Sequence, residues 1–233
     1  MANKDGHPGR KPILEVKHVN AFYREGRARR QVLQDINFTM YEGEILGLVG
    51  ESGSGKSTLC RGILGLLKDY DGTIIHHTEK PQMIFQDPYR SLNPKKKIGW
   101  ILEEPLKMQK GYTKERRIEK VEEILEKVHL PGDLCSRYPR ELSGGQRQRI
   151  SIALALLTGT KLILADEPLS ALDVTVQAQI MSLIKELKER EKIAFLFVSH
   201  DLDVVSILCE RVLFLQGKKI TEYQERQRIN DQA

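Results

Sequence analysis

"EILGLVGESGSGKST", residues 44–58, is the stretch from which the fold is read. Ile45–Val49 is a short apolar run without alternation, the pattern of a strand covered on both faces. Glycines and serines fill 50–55, and a helical pattern opens at Lys56 and runs to Leu67. Strand, glycine-rich loop and helix form the setting in which G-x-x-x-x-G-K-[ST] has a physical meaning. Gly50, Gly53 and Gly55 let backbone N–H groups turn inward onto phosphate oxygens, and the helix amino end adds a favourable field. Lys56 is then placed to reach the β- and γ-phosphates of a nucleotide, and the Ser57 hydroxyl to ligate Mg²⁺.

The remaining chain extends this α/β pattern. Met83–Phe85, Leu162–Asp166 and Ile193–His200 repeat the buried-strand character, and an amphipathic helix over Val174–Arg190 lies between the last two. A core with a mainly parallel sheet is expected. Ile13–Tyr23 and Val32–Met40 read as an antiparallel layer at the amino end, joined by a charged turn, and Arg211–Tyr223 as a hairpin. Between Asp87 and Ile150 the texture becomes turn-rich and charged, with a helix carrying Ile118, Val121, Leu125 and Val128 on one face. The expected organisation is a single domain over 1–233. Residues 1–88 and 151–233 form its core with the antiparallel β-subdomain, and 89–150 form an inserted helical subdomain.

Composition narrows the function classes. The chain is 40% hydrophobic and 30% charged, which is globular. Met1–Pro12 holds no apolar segment, so no secretory signal is expected, and no run is long enough to cross a bilayer; a soluble, cytoplasmic protein is expected. Cys60, Cys135 and Cys209 are widely spaced and read as packed apolar groups rather than a disulfide or zinc framework. The net charge is +5, but basic residues are interspersed with acids except at "GRARR" (26–30) and "PKKK" (94–97), read as two basic turns on a solvated surface.

Two further motifs carry chemistry. "LILADE" (162–167) is a buried strand capped by two acids: Asp166 is placed to hold Mg²⁺, and Glu167 to polarise a water near a γ-phosphate. "ELSGGQRQRI" (141–150) is a second apparent anion cradle. Ser143 and Gln146 have capping-box spacing, but capping alone does not call for Gly144 and Gly145, whose missing side chains permit a close backbone approach to a ligand.

Together these residues resemble the ATP-binding subunit of ABC transporters over nearly the whole chain. "GESGSGKST" (50–58), with Ser52 and Thr58 in it, resembles the Walker A loop that holds ATP. "LILAD" with Glu167 resembles Walker B and its catalytic glutamate, and "LSGGQ" (142–146) the family signature. Gln86 resembles the Q-loop glutamine, "SALD" (170–173), ending in Asp173, the D-loop, and His200 the switch histidine. Tyr23 falls where the family stacks an aromatic ring on adenine. The resemblance implies that two subunits sandwich two ATP molecules, each P-loop meeting the other subunit's Ser143–Gln146 segment. It implies that Gln86 links Mg²⁺ to the helical subdomain and that His200 contacts the γ-phosphate.

"QDPYRSLNP" (86–94) and "EPLSALDVTVQAQI" (167–180) narrow the resemblance to ATPases of oligopeptide, dipeptide and nickel importers. The implied partners are a second ATPase, nonidentical subunits being usual and a homodimer the alternative, transmembrane permease subunits, and indirectly an extracytoplasmic substrate-binding protein. The implied location is the cytoplasmic face of the membrane. The segment 72–81 is shorter than in most relatives, and the family's carboxyl-terminal extension has no counterpart after Tyr223. His76 and His77 suggest a metal site for a nickel system but read better as exposed turn residues. Two competing functions, an ABC-type ATPase acting on nucleic acid and a non-catalytic regulatory subunit, are disfavoured. The chain lacks coiled-coil heptads and paired cysteines, and every catalytic position carries the expected residue.

Overall fold

The computed structural model describes residues 10–224 apart from 27, 80, 88–90 and 110. β1 (Pro12–Glu25) and β2 (Ala28–Tyr41) pair antiparallel. Alternation sends Leu14 and Val16 inward from one strand and Ile36, Phe38 and Met40 from the other. The pattern shifts at His18, whose φ of 51° accompanies a register change between Val16 and Val19, so that Val19 and Ala21 also turn inward. Glu25 pairs with Ala28, which corrects the reading of "GRARR" as a basic turn: Arg29 and Arg30 lie in β2. Arg29 binds Asp69 at 2.6 Å and covers the Phe22 ring at 3.6 Å.

β3 (Ile45–Val49) is buried at all five positions. α1 (Lys56–Ile63) stops short of the expected Leu67 because Gly65 takes a φ of 71°. Leu66 N–H then donates to Arg61 O at 2.8 Å and Gly65 N–H to Gly62 O at 3.0 Å, a Schellman closure. β4 (Tyr70–His76) returns beside β1, completing a sheet ordered β2-β1-β4. His76 therefore ends a strand rather than lying in a turn, with Nε2 2.8 Å from Ile63 O, and His77 Nε2 meets Glu15 at 2.7 Å. Among the described residues no cluster of three His, Cys, Asp or Glu is arranged to hold a metal ion.

After β5 (Gln82–Ile84) comes a helix that the sequence pattern does not announce, α2 (Ile98–Lys107). Its buried Ile98, Ile101, Leu102 and Leu106 have helical spacing, but Pro105 interrupts the sequence signal in the last turn. α3 (Lys114–Lys127) buries Val121, Ile124 and Leu125, with Val128 just beyond, while Ile118 is exposed, against expectation. The apolar residues it buries lie in its second half. α4 (Gly144–Leu157) runs through residue 150 into the core. β6 (Leu162–Asp166), α5 (Val174–Glu191), β7 (Ala194–Val198), α6 (Leu202–Leu208), β8 (Arg211–Gln216) and β9 (Lys219–Gln224) complete the chain.

The larger sheet is ordered β5-β6-β7-β3-β8-β9, parallel from β5 through β8, with β9 antiparallel at the edge. Both faces are covered. Ile45, Val49, Phe195 and Phe197 face the helices, whereas Leu46, Leu48, Leu196 and Val198 face α1 and the antiparallel sheet. Double covering is why these strands are continuous apolar runs. Cys60 and Cys209 pack in this interior, and burial pushes both thiols up, Cys209 to about 12.

One buried ion pair ties the two sheets. Arg211 Nε donates to Glu44 Oε1 at 2.6 Å, with 4% and 0% of the two side chains exposed. The guanidinium also reaches Thr39 O and Glu222, and Glu44 Oε2 accepts from Tyr41 N–H. Removing the cation alone strands a carboxylate in the interior. Arg211→Met is expected to destabilise the protein by about 3–5 kcal/mol in urea unfolding, and adding Glu44→Gln to recover part of the loss.

Candidate functional site

In a parallel sheet the carboxyl ends of the strands share one edge, and four loops converge there. β3 leads into 50–55, β5 into Gln86, β6 into Asp166 and Glu167, and β7 into His200. At Gly50 a Cβ would lie 2.5 Å from Leu215 O, so main chain alone fits. Gly53 and Gly55 take φ of 79° and 115°. α1 has no side-chain cap, whereas Thr113, Ser143, Asp173 and Asp201 cap α3, α4, α5 and α6. Its first amides are thus left to face the loop's hollow, a geometry suited to an anion. Lys56 Nζ, nearly buried, donates to Gly50 O at 2.6 Å and Glu51 O at 2.9 Å.

Burial, then the neighbouring Glu167 carboxylate, push the Asp166 carboxyl above its usual range, and Lys56 only partly offsets them. A carboxylate held this way favours a cation, and the oxygen donors beside it on Ser57 and Gln86 fit a hard divalent ion. Glu167 has a φ of 47°, held by its N–H to Val198 O at 2.9 Å. Its carboxylate accepts from Gln86 Nε2 at 3.1 Å and meets His200 Nδ1 at 3.0 Å. Because a carboxylate only accepts, the imidazole proton sits on Nδ1 in the neutral ring. Tyr23 OH lies 3.2 Å from Thr58 Oγ1.

These groups line one cleft of about 490 Å³. It brings together Tyr23, Ser52, Gly53, Gly55, Lys56, Ser57 and Thr58 with Gln86, Asp166, Glu167 and His200; Gly50 lies behind it as an acceptor for Lys56. Ser143, Gly144, Gly145, Gln146 and Asp173 are not among its lining residues. Ser143 Oγ accepts from Gln146 N–H at 3.2 Å and Gln146 Oε1 from Ser143 N–H at 3.0 Å, a complete capping box. Asp173 Oδ1 accepts from Val176 N–H at 3.0 Å and caps α5. The expectation that Gly145 serves a ligand meets a nearer cause: a Cβ there would lie 2.6 Å from Val176 Cγ1.

A family model described as "ABC transporter" matches residues 33–170, more than half of the chain. The oligopeptide transport ATP-binding protein OppF of Bacillus subtilis is 42% identical over 227 residues, 90% of this chain and 74% of that protein. The chain belongs to the ABC transporter family. The oligopeptide transport ATP-binding protein AppF of the same bacterium is 41% identical over 94% of this chain and 74% of its own length. Among solved structures, the dimeric post-hydrolysis state of the ATP-binding cassette MJ0796 bound to ADP and Pi is 29% identical. It has a TM-score of 0.79 and covers 91% of this chain and 98% of that one. CbiO1 of Clostridium perfringens, 23% identical with a TM-score of 0.83 over 95% of this chain and 92% of its own, shares the fold. The chain is therefore an ATP-binding ABC ATPase, with the antiparallel β-subdomain and parallel core that its strand patterns imply.

Sequence reasoning misses two residues of this cleft, Arg30 and Val32. Tyr23 pairs with Arg30 across the hairpin, so the two share a face. A turn placed between Glu25 and Ala28 is the signal that finds them. The close contact between α4 and α5 makes its own prediction. Gly145→Ala is expected to lose about 1–3 kcal/mol in chemical unfolding, and Val176→Ala in the same chain to return part of it; unchanged stability would remove the packing explanation.

Proposed function

We propose that this ABC ATPase powers peptide uptake, closing with a second ATPase subunit on two ATP molecules. The peptide assignment is supported by the oligopeptide transport relatives, and the closing pair by the dimeric MJ0796 cassette. One observation carries the two-subunit reading. Lys56, Asp166, Glu167, Gln86 and His200 share a cleft, while the amino end of α4 lies outside it. There the capping box satisfies Gln146 N–H, and the amides of Gly144 and Gly145 have no protein acceptor among the described residues. Two free amides at a helix amino end form half of an anion seat. In this reading they receive the γ-phosphate held by the partner's loop, and Asp173 reaches the same interface.

Within one cleft the amides of 50–58 and the Lys56 ammonium hold the phosphates, and Tyr23 stacks on adenine. Ser57, Asp166 and Gln86 would hold Mg²⁺, whose charge offsets that of the phosphates. Glu167 accepts a proton from water as the water oxygen bonds to the γ-phosphorus and the bond to the ADP oxygen breaks. His200 keeps its Nδ1–H on Glu167 and offers its other nitrogen to the γ-phosphate. Gln86 bonds Glu167 through its amide nitrogen, leaving its oxygen for the cation.

The remaining partners are permease subunits in the membrane and, through them, an extracytoplasmic binding protein. Among the described residues no helix is long and apolar enough to cross a membrane, and the chain works from the cytoplasmic face in this reading. The permease contact is the segment after Gln86. Residues 88–90 of that segment lie outside the described residues, and Phe85 just before Gln86 is 52% exposed.

Lys56→Ala is expected to abolish ATP binding, measured by calorimetry. Glu167→Gln should keep binding, lower turnover about a hundred-fold or more, and accumulate an ATP-bound dimer in light scattering; full turnover would reject the base. Asp166→Asn should leave the nucleotide-free melting temperature undiminished, because it removes a poorly compensated charge. It should also erase the extra stabilisation that Mg²⁺ gives with ATP.

A further inference from the structure

Glu167 is a non-glycine residue with a φ of 47°, a conformation that is uphill for any side chain and persists only where its surroundings impose it. Its N–H is tied to Val198 O at 2.9 Å. Its carbonyl accepts from Ser170 N–H at 3.3 Å and from Ser170 Oγ at 3.1 Å. The same hydroxyl lies 3.5 Å from Gln86 Nε2, the group that donates to the Glu167 carboxylate at 3.1 Å. One oxygen therefore touches both the backbone of Glu167 and the amide that steers its side chain.

We propose that Ser170 is a positioning residue for ATP hydrolysis, its hydroxyl holding Glu167 in the left-handed conformation that presents the carboxylate to the cleft. The proposal rests on the reading of Glu167 as the general base. Folding makes little demand on the Ser170 side chain. It is exposed, and the loop it occupies is pinned to α5 by Gln177 Nε2, which donates to Leu169 O and Leu172 O at 3.1 Å each. A serine hydroxyl bonding a carbonyl three residues back is common in turns. What is particular here is that the carbonyl belongs to the strained residue carrying the carboxylate.

The test uses the ATP-hydrolysing assembly with Ser170→Ala, Ser170→Thr and Glu167→Gln. Ser170→Ala should lower kcat about ten-fold with the KM for ATP and the melting temperature unchanged, because a displaced base costs turnover rather than binding. Ser170→Thr, which keeps the hydroxyl, should return kcat to within about two-fold of the parent. The proposal is overturned if Ser170→Ala keeps parental kcat, if its loss follows a lowered melting temperature, or if threonine does not rescue. Glu167→Gln separates the two failures. Parental turnover in that variant sinks the base and the proposal with it, whereas an inactive Glu167→Gln beside a fully active Ser170→Ala sinks the proposal alone.

Discussion

A buried ammonium whose hydrogen bonds among the described residues go to main-chain oxygens is the constraint on which the rest of the site depends. Lys56 is 9% exposed, and its protons go to the carbonyls of Gly50 and Glu51. Carbonyl dipoles solvate a cation without neutralising it, so the loop keeps a positive centre at its middle. The uncapped amides of α1 point the same way in sign. An element built like this suits an anion, and in the proposed reading that anion is the triphosphate of ATP.

The sheet order makes that positive centre useful. β6 and β3 are separated by β7, so Asp166 and the loop after β3 face each other across one strand width, with His200 emerging from the strand between. A carboxylate pushed above its usual range and an ammonium with no paired acid among the described residues are thereby held on one edge. In the proposed reading a cation and a phosphate bound side by side would relieve both costs together. The stability that tolerates them comes from strands covered on both faces and from the Glu44–Arg211 pair at the far end of β3 and β8.

Much of this is legible in the residues. Continuous apolar runs ending in Gly50, Asp166 and His200 mark strands whose carboxyl ends meet, and glycine spacing marks the loop. What escapes has physical reasons. Pro105 breaks the helical signal of α2, and the covered half of α3 leaves Ile118 outside. The bulge at His18 shifts the alternation of β1, and the short turn before Ala28 moves Arg29 and Arg30 from loop to strand. Arg30 enters the cleft for that reason alone. Local patterns report local structure; cross-strand partners depend on register, which one misplaced turn changes for every residue beyond it.

Gly144 and Gly145 show where motif reasoning and packing part. Motif spacing reads both as openings for a ligand, yet the space beside Gly145 is filled by Val176 and that beside Gly144 by Leu172. Gly145 lets α4 and α5 touch, and Gly144 leaves room for Leu172 just before α5. The case for an anion there is carried instead by what the capping box leaves over. Ser143 satisfies the Gln146 amide, and the amides of Gly144 and Gly145 have no hydrogen-bond acceptor among the described residues. Gly145 therefore lets the two helices meet, while the Gly144 and Gly145 amides are left without an acceptor among the described residues. A surface left in that state suits a phosphate, and in the proposed reading that phosphate is held by the loop of a second molecule.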